Sequence, residues 1–185
     1  MNLEQLRESL PEYAKDLKLN LSSVLRQPEL SARQTWGTAL ACAAACGNDE
    51  LLDAVAAAAR EQLDETAFNA ALAAAATMGM NNIYYRFLHL ASNEKYKTMR
   101  AGLRMNVIRT HGADPVDFEL WCLAVSAVNG CGACVDSHER VVREKGLSED
   151  VVLGAVRIAS VLHAAARVLE AEAVLAGSTA GPRLV

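Results

Sequence analysis

The residues best suited to chemistry in this sequence are two cysteines and a histidine that lie close together. Cys131 and Cys134 form a Cys-x-x-Cys motif, and His138 follows four residues after the second cysteine. In a helix these side chains share one face, so the sulfurs can close a disulfide and the imidazole can exchange a proton with a thiol. The spacing therefore predicts a redox-active dithiol.

The turn before this motif is expected to activate the thiols. Asn129-Gly130 interrupts an apolar segment, which predicts that a new helix opens at Cys131. Free N–H groups and the helix dipole stabilise a thiolate in a first turn, where the pKa of a cysteine falls by about one unit or more. A neutral imidazole at His138 would take the thiol proton and later return it.

Glu119 is the candidate partner of this imidazole. It lies near the start of the preceding helix among apolar neighbours, from Phe118 to Ala124. If the carboxylate points inward, it would orient His138 directly or through water and complete a proton relay. The alternative is a first-turn glutamate that the helix dipole favours and that faces solvent.

A zinc site is the main alternative chemistry. Cys131, Cys134 and His138 supply three ligands, whereas a structural zinc ion takes four. The remaining cysteines lie in apolar segments and are interpreted as core: Cys42, Cys46 and Cys122. The remaining histidines are interpreted as structural or exposed, with His163 as a weak further candidate and a core histidine by default: His89, His111 and His163. We therefore predict no metal and no bound cofactor.

Helical periodicity dominates the chain, and no segment shows the sustained alternation of apolar and polar residues that is typical of a β-strand. Apolar residues at helical spacing predict helices over about 3–18 (interrupted at Pro11), 32–46, 49–63, 67–80, 116–128, 131–145 and 151–176. Residues 20–23 are predicted as a break, 83–105 as connecting helices and loops, and 177–182 as a loose tail. The sequence thus predicts a single all-α domain over residues 1–185.

Composition narrows the class of protein. Hydrophobic residues make up 52% of the chain with few aromatics, and the net charge is −4 without a basic patch, so nucleic acid is not an expected partner. The N-terminus lacks a signal-peptide pattern, and the longest apolar run, Ala39–Cys46, is far shorter than a membrane span. Five cysteines argue against a secreted disulfide framework. We expect a cytoplasmic protein without a membrane partner.

Two parts of the chain share a pattern. Trp36 is followed by Cys46-Gly47, and Trp121 is followed at the same spacing by Cys131-Gly132. The second pattern lies 85 residues after the first. Each is followed by a turn and a further apolar helix. We interpret this as an internal repeat over about 30–85 and 115–176, in which only the second copy carries the complete chemistry.

The segment Phe118–Cys131, taken with Cys134 and His138, resembles the signature of the alkyl hydroperoxidase AhpD family, part of the carboxymuconolactone decarboxylase-like superfamily. The segments Leu6–Leu30 and Met78–Arg86 are also similar, so the resemblance covers nearly the whole chain. It implies a helical bundle and an antioxidant hydroperoxide reductase.

By this resemblance, Cys134 attacks the peroxide and becomes a sulfenic acid. Cys131 donates a proton to the leaving group and then resolves the sulfenic acid into the disulfide Cys131–Cys134. His138 and Glu119 form the proton relay. Some family members carry a histidine at the position of Ala133, so a second imidazole is missing here.

The resemblance also implies partners. Family members form homotrimers, draw electrons from dihydrolipoyl groups on a 2-oxoacid dehydrogenase subunit and pass them to the peroxiredoxin AhpC. Two other functions stay open at this stage: a cofactorless decarboxylase of the same superfamily, and a zinc-bearing helical interaction module.

Overall fold

The computed structural model describes residues 1–179, and this part of the chain contains ten α-helices and no β-strand. The predicted all-α class is therefore confirmed. The helices are α1 Leu3–Ser9, α2 Lys15–Val24, α3 Ala32–Cys46, α4 Asp49–Arg60, α5 Glu65–Leu90, α6 Lys95–Thr98, α7 Val107–Thr110, α8 Pro115–Val128, α9 Gly132–Glu144 and α10 Glu149–Thr179. A 3₁₀ turn, Glu12–Ala14, joins α1 to α2.

Local capping explains why several helices begin and end where the sequence predicts. Ser31 and Gln34 cap each other's backbone N–H groups at the start of α3, and Gly47, with φ 70°, ends that helix in the left-handed conformation. Asp114 accepts hydrogen bonds from the first turn of α8, and Pro115 occupies its first position. The predicted helix 32–46 is confirmed at both ends.

Several predicted boundaries were wrong, among them the end of the predicted helix 49–63, which stops at Arg60. The expected break at residues 20–23 lies inside α2, because Ser23 Oγ donates to the Asn20 carbonyl 3.0 Å away and is satisfied within the helix. Helix α5 does not stop at Asn81 but continues to Leu90. Helix α10 runs to Thr179, so residues 177–179 of the predicted loose tail are helical, and the rest of that prediction lies outside the described residues.

Two helices form the centre of the bundle. Helices α3 and α8 pack against each other, and α5 and α10 pack on both of them, while α4 and α9 cover α3 and α8 respectively. The contact between α3 and α8 is close: a Cβ atom at Gly37 would lie 2.2 Å from Cε2 of the buried Trp121 ring. Small residues on α3 thus let the tryptophan of α8 fill the core.

The helix order recurs along the chain. Helices α3, α4 and α5 begin at Ala32, Asp49 and Glu65, and α8, α9 and α10 begin at Pro115, Gly132 and Glu149, which are 83, 83 and 84 residues later. This spacing lies close to the predicted offset of 85. The internal repeat itself stays a prediction, as does the single-domain organisation.

By length and composition alone, residues 149–177 of α10 would suffice to span a membrane. Core helices of globular proteins pass the same test. In this helix Ala155, Ile158 and Leu162 are buried in the hydrophobic core, so packing within the bundle accounts for its apolar character.

Candidate active site

The turn between α8 and α9 sets the position of the first cysteine. Gly130 adopts a left-handed conformation with φ +67°, which a residue with a side chain rarely adopts. Its N–H donates to the Ala127 carbonyl at 3.2 Å, and the Cys131 N–H donates to the Ser126 carbonyl at 3.0 Å. These two bonds are the Schellman closure of α8, and they place Cys131 directly at the start of α9.

Cys131 and Cys134 stand in the first turn of α9 and are paired as a disulfide with a Cα–Cα distance of 5.3 Å. Cys131 is the N-cap residue, and its carbonyl accepts from the N–H groups of Cys134 at 3.0 Å and Val135 at 2.9 Å. Both cysteines are buried. In the reduced form, Cys134 would occupy the third helical position, where the helix dipole favours a thiolate.

Glu119 points inward and meets His138. Its Oε2 lies 2.6 Å from His138 Nδ1, a short hydrogen-bond distance at which the two atoms share one proton. Both side chains are largely buried. Of the two orientations that the sequence left open for Glu119, the structure has the one toward the histidine, so the two residues predicted as a relay are in direct contact.

The other edge of the imidazole contacts a residue that sequence reasoning did not single out. His138 Nε2 lies 3.3 Å from the sulfur of Met78 on α5, and Met78 is only 1% exposed. Within residues 1–179, neither ring nitrogen of His138 contacts a cysteine sulfur in this disulfide form. The prediction that the ring exchanges a proton with Cys134 stays a prediction.

Two further residues of α5 support the turn before Cys131. Asn82 is fully buried, donates to Ser126 Oγ at 2.9 Å, and accepts from Asn129 Nδ2 at 2.9 Å. Arg86 Nη1 donates to the Asn129 carbonyl at 2.6 Å. Met78, Asn82 and Arg86 are spaced by four residues and therefore share one face of α5. That spacing is the available signal in the sequence, but the predicted helix 67–80 ends before Asn82 and Arg86.

The other three cysteines are free and buried, in agreement with their predicted place in the core. Burial raises the pKa of the Cys42 and Cys122 thiols well above the ordinary value. Burial also raises the pKa of Cys46, to about 11, with Arg167 opposing and Glu170 adding to the shift. These thiols therefore stay protonated and unreactive at neutral pH.

The remaining histidines are not part of the cysteine site. His89 and His163 are exposed, so the prediction of a core histidine at position 163 was wrong: it faces away from the buried side of α10. His111 stacks on Phe118 with ring centroids 3.9 Å apart, and burial lowers its pKa.

Among the described residues, no group of three or more histidine, cysteine or acidic side chains is arranged to hold a metal ion. The nitrogens of His138 face Glu119 and Met78 instead.

Comparison with known proteins adds to this geometry. The carboxymuconolactone decarboxylase family profile matches residues 94–177, which include the whole of α8 and α9. The alkyl hydroperoxide reductase AhpD of Solibacter usitatus (strain Ellin6076) is 62% identical over 94% of this chain and 98% of its own length. Those of Acidobacterium capsulatum and Koribacter versatilis (strain Ellin345) are 60% and 58% identical, over 94% and 93% of this chain and 96% and 89% of their own lengths. With this similarity along nearly its full length, the chain belongs to the AhpD family of alkyl hydroperoxide reductases.

Proposed function

We propose that this chain reduces hydroperoxides to alcohols with the dithiol Cys131/Cys134, using a dihydrolipoyl group as its reductant. The observation that carries the proposal is the pair of cysteines at the start of α9, held next to the contact between Glu119 and His138. Family membership supports peroxide reduction, and the arrangement of these four residues supports the individual steps.

The reaction begins with the reduced dithiol. The Cys134 thiolate attacks the distal oxygen of the hydroperoxide, the O–O bond breaks, and Cys134 becomes a sulfenic acid. The departing alkoxide takes a proton from Cys131 and leaves as the alcohol. The Cys131 thiolate then attacks the Cys134 sulfur, and the disulfide forms with release of water. Glu119 and His138 supply and remove protons in these steps.

The disulfide needs an external reductant to complete the cycle. A dihydrolipoyl group is a dithiol, and it reduces a disulfide by two successive thiol exchanges. The same chemistry in the other direction lets the reduced enzyme regenerate the peroxiredoxin AhpC. We propose a lipoyl-bearing 2-oxoacid dehydrogenase subunit and AhpC as partners, in the cytoplasm, with no resident cofactor.

We also propose that the chain forms a homotrimer. Large apolar side chains are exposed along the second half of α5 and the segment after it: Ile83, Tyr85, Phe87, Leu90, Tyr96, Met99 and Leu103. Several large apolar side chains exposed along one stretch of chain are typical of a protein contact. Light scattering after gel filtration would measure the mass, and a monomer would contradict this proposal.

Lipoamide-dependent turnover tests the function directly. The reduced protein is incubated with one equivalent of an organic hydroperoxide, and its free thiols are counted before and after. Of the five cysteines, we expect two to disappear and one alcohol to form per molecule. Turnover with dihydrolipoamide should then be catalytic. Unchanged thiols, or alcohol formation without disulfide, would contradict the proposal.

The decarboxylase alternative is separated by the same dithiol. A cofactorless decarboxylation needs no pair of thiols, so activity that survives Cys131→Ser would favour it. The relatives reported above are named as alkyl hydroperoxide reductases, and this chain matches them over nearly their whole length. This supports the redox function over the decarboxylase.

A further inference from the structure

The sulfur of Met78 occupies an unusual place for a core methionine. It lies 3.3 Å from His138 Nε2 and 3.8 Å from the side-chain amide nitrogen of Asn82. Core methionines pack against apolar groups. Here two nitrogen groups, both able to carry protons, are directed at a single thioether.

When it is made as a hydrogen bond, this contact restricts where the protons of the imidazole can lie. A thioether sulfur is an acceptor with no proton to donate, so a hydrogen bond between it and His138 requires a proton on Nε2. The hydrogen bond made by one ring nitrogen sets the state of the other. With Nε2–H held by Met78, the proton that can move is the one between Nδ1 and Glu119 Oε2, which are 2.6 Å apart.

We propose that Met78 is a positioning residue of the proton relay: its sulfur holds the Nε2–H edge of His138 and leaves the edge facing Glu119 as the place of proton exchange. This inference rests on the proposed function. Asn82 completes the arrangement, because its amide contacts the Met78 sulfur and also donates to Ser126 next to the cysteine turn. One face of α5 thereby fixes both the histidine and the cysteine ends of the site.

Three variants test the claim by turnover. Met78→Leu keeps the apolar volume and removes the acceptor, and such exchanges usually cost little stability. We expect its kcat to fall about 10-fold, a part of the ~10²–10⁴ that general acid–base groups contribute, with KM unchanged. Met80→Leu is the matched control, since Met80 lies on the same helix and makes no such contact, and it should behave as wild type. Met78→Gln restores an acceptor, and it should recover most of the lost rate.

Nuclear magnetic resonance of the imidazole nitrogens tests the claim without activity. Four histidines give a simple spectrum, and His138→Gln identifies the signals that belong to His138. In the disulfide form of the wild type we expect Nε2 to be protonated, and in Met78→Leu we expect a mixture of tautomers.

The outcomes separate the two proposals. If wild-type Nε2 is unprotonated, or if Met78→Leu matches Met80→Leu in both turnover and spectrum, the role of Met78 is overturned even when turnover is normal. If the wild type lacks peroxide turnover, the proposed function fails, and the spectrum still decides the role of Met78. If Met78→Leu does not fold, the role of Met78 is decided by the protonation of Nε2 in the wild-type spectrum and by the turnover of Met78→Gln.

Discussion

Two pairs of cysteines lie in the two halves of this bundle, α3–α5 and α8–α10, and we propose that only the second pair reacts. Cys42 and Cys46 lie in α3, four residues apart, and both thiols are free and buried. Cys131 and Cys134 stand at the start of α9, three residues apart, and are paired. The halves share helix order and spacing, so the difference comes from where on a helix each cysteine stands.

Helix polarity rather than burial distinguishes the two pairs, because all four cysteines are buried. Cys46 is the last residue of α3, where the negative end of the helix dipole disfavours a thiolate, and burial raises the pKa of its thiol to about 11. Cys134 stands in a first turn, where the dipole has the opposite sign. The pair in α3 is therefore inert, and the pair at the start of α9 is the one we propose as reactive.

The largest expected effect comes from the attacking sulfur. Cys134→Ser should lower hydroperoxide turnover by roughly 10³-fold or more, because a serine hydroxyl is not ionised at neutral pH. Cys46→Ala is the control from the inert pair, and its kcat should equal that of the wild type. Equal losses in both variants would break the distinction between the pairs.

Alkylation against pH would sharpen the same distinction. Iodoacetamide attacks thiolates, and a raised pKa leaves the thiol protonated until the pH approaches that value. At pH 8 only about one part in 10³ of Cys46 is ionised, whereas near pH 11 about half is. In the reduced protein we expect modification of Cys131 and Cys134 alone at pH 8, with Cys46 joining only in strong alkali. Peptide mass spectrometry reads the sites, and early labelling of Cys46 would contradict the assignment.

A smaller loss is expected at the carboxylate beside the histidine. Glu119→Gln keeps a hydrogen-bonding group but removes the charge that pairs with His138, so kcat should fall about 10²-fold. Glu139→Gln, on the solvent side of α9, is the control and should leave kcat unchanged. A wild-type rate in Glu119→Gln would remove the carboxylate from the relay.

The smallest expected effect concerns the contact between the two halves. Gly37→Ala should lower the free energy of unfolding by roughly 2 kcal/mol, because its Cβ would overlap the Trp121 ring, and overpacking costs about this much. Gly79→Ala, a glycine on α5 with no atom within 4 Å of an added Cβ, should instead raise it by roughly 0.5–1 kcal/mol. Urea unfolding measures both, and a neutral Gly37→Ala would show that α3 and α8 can move apart.

Local signals explain how much of this structure could be predicted from the sequence. The ends of α3 followed from Ser31 and Gly47, and the start of α8 from Asp114-Pro115, because caps act within a few residues. The placement of the dithiol at the start of α9 followed from Asn129-Gly130 for the same reason.

The contributions of α5 could not be predicted in the same way. Two consecutive asparagines ordinarily indicate a turn, but Asn82 is paired with Ser126 and Asn129, which are distant in sequence. Without those partners, the sequence predicts a helix that ends at Met80 and assigns no role to Met78. The inward direction of Glu119 likewise depended on His138 lying opposite on another helix.

The double use of Cys131 also limits how the length of this chain can change. Its N–H closes α8 through Ser126, and its carbonyl opens α9 through Cys134 and Val135, so no residue between the two helices is spare. An insertion at this junction would undo one helix end or the other and turn the second sulfur away from the first.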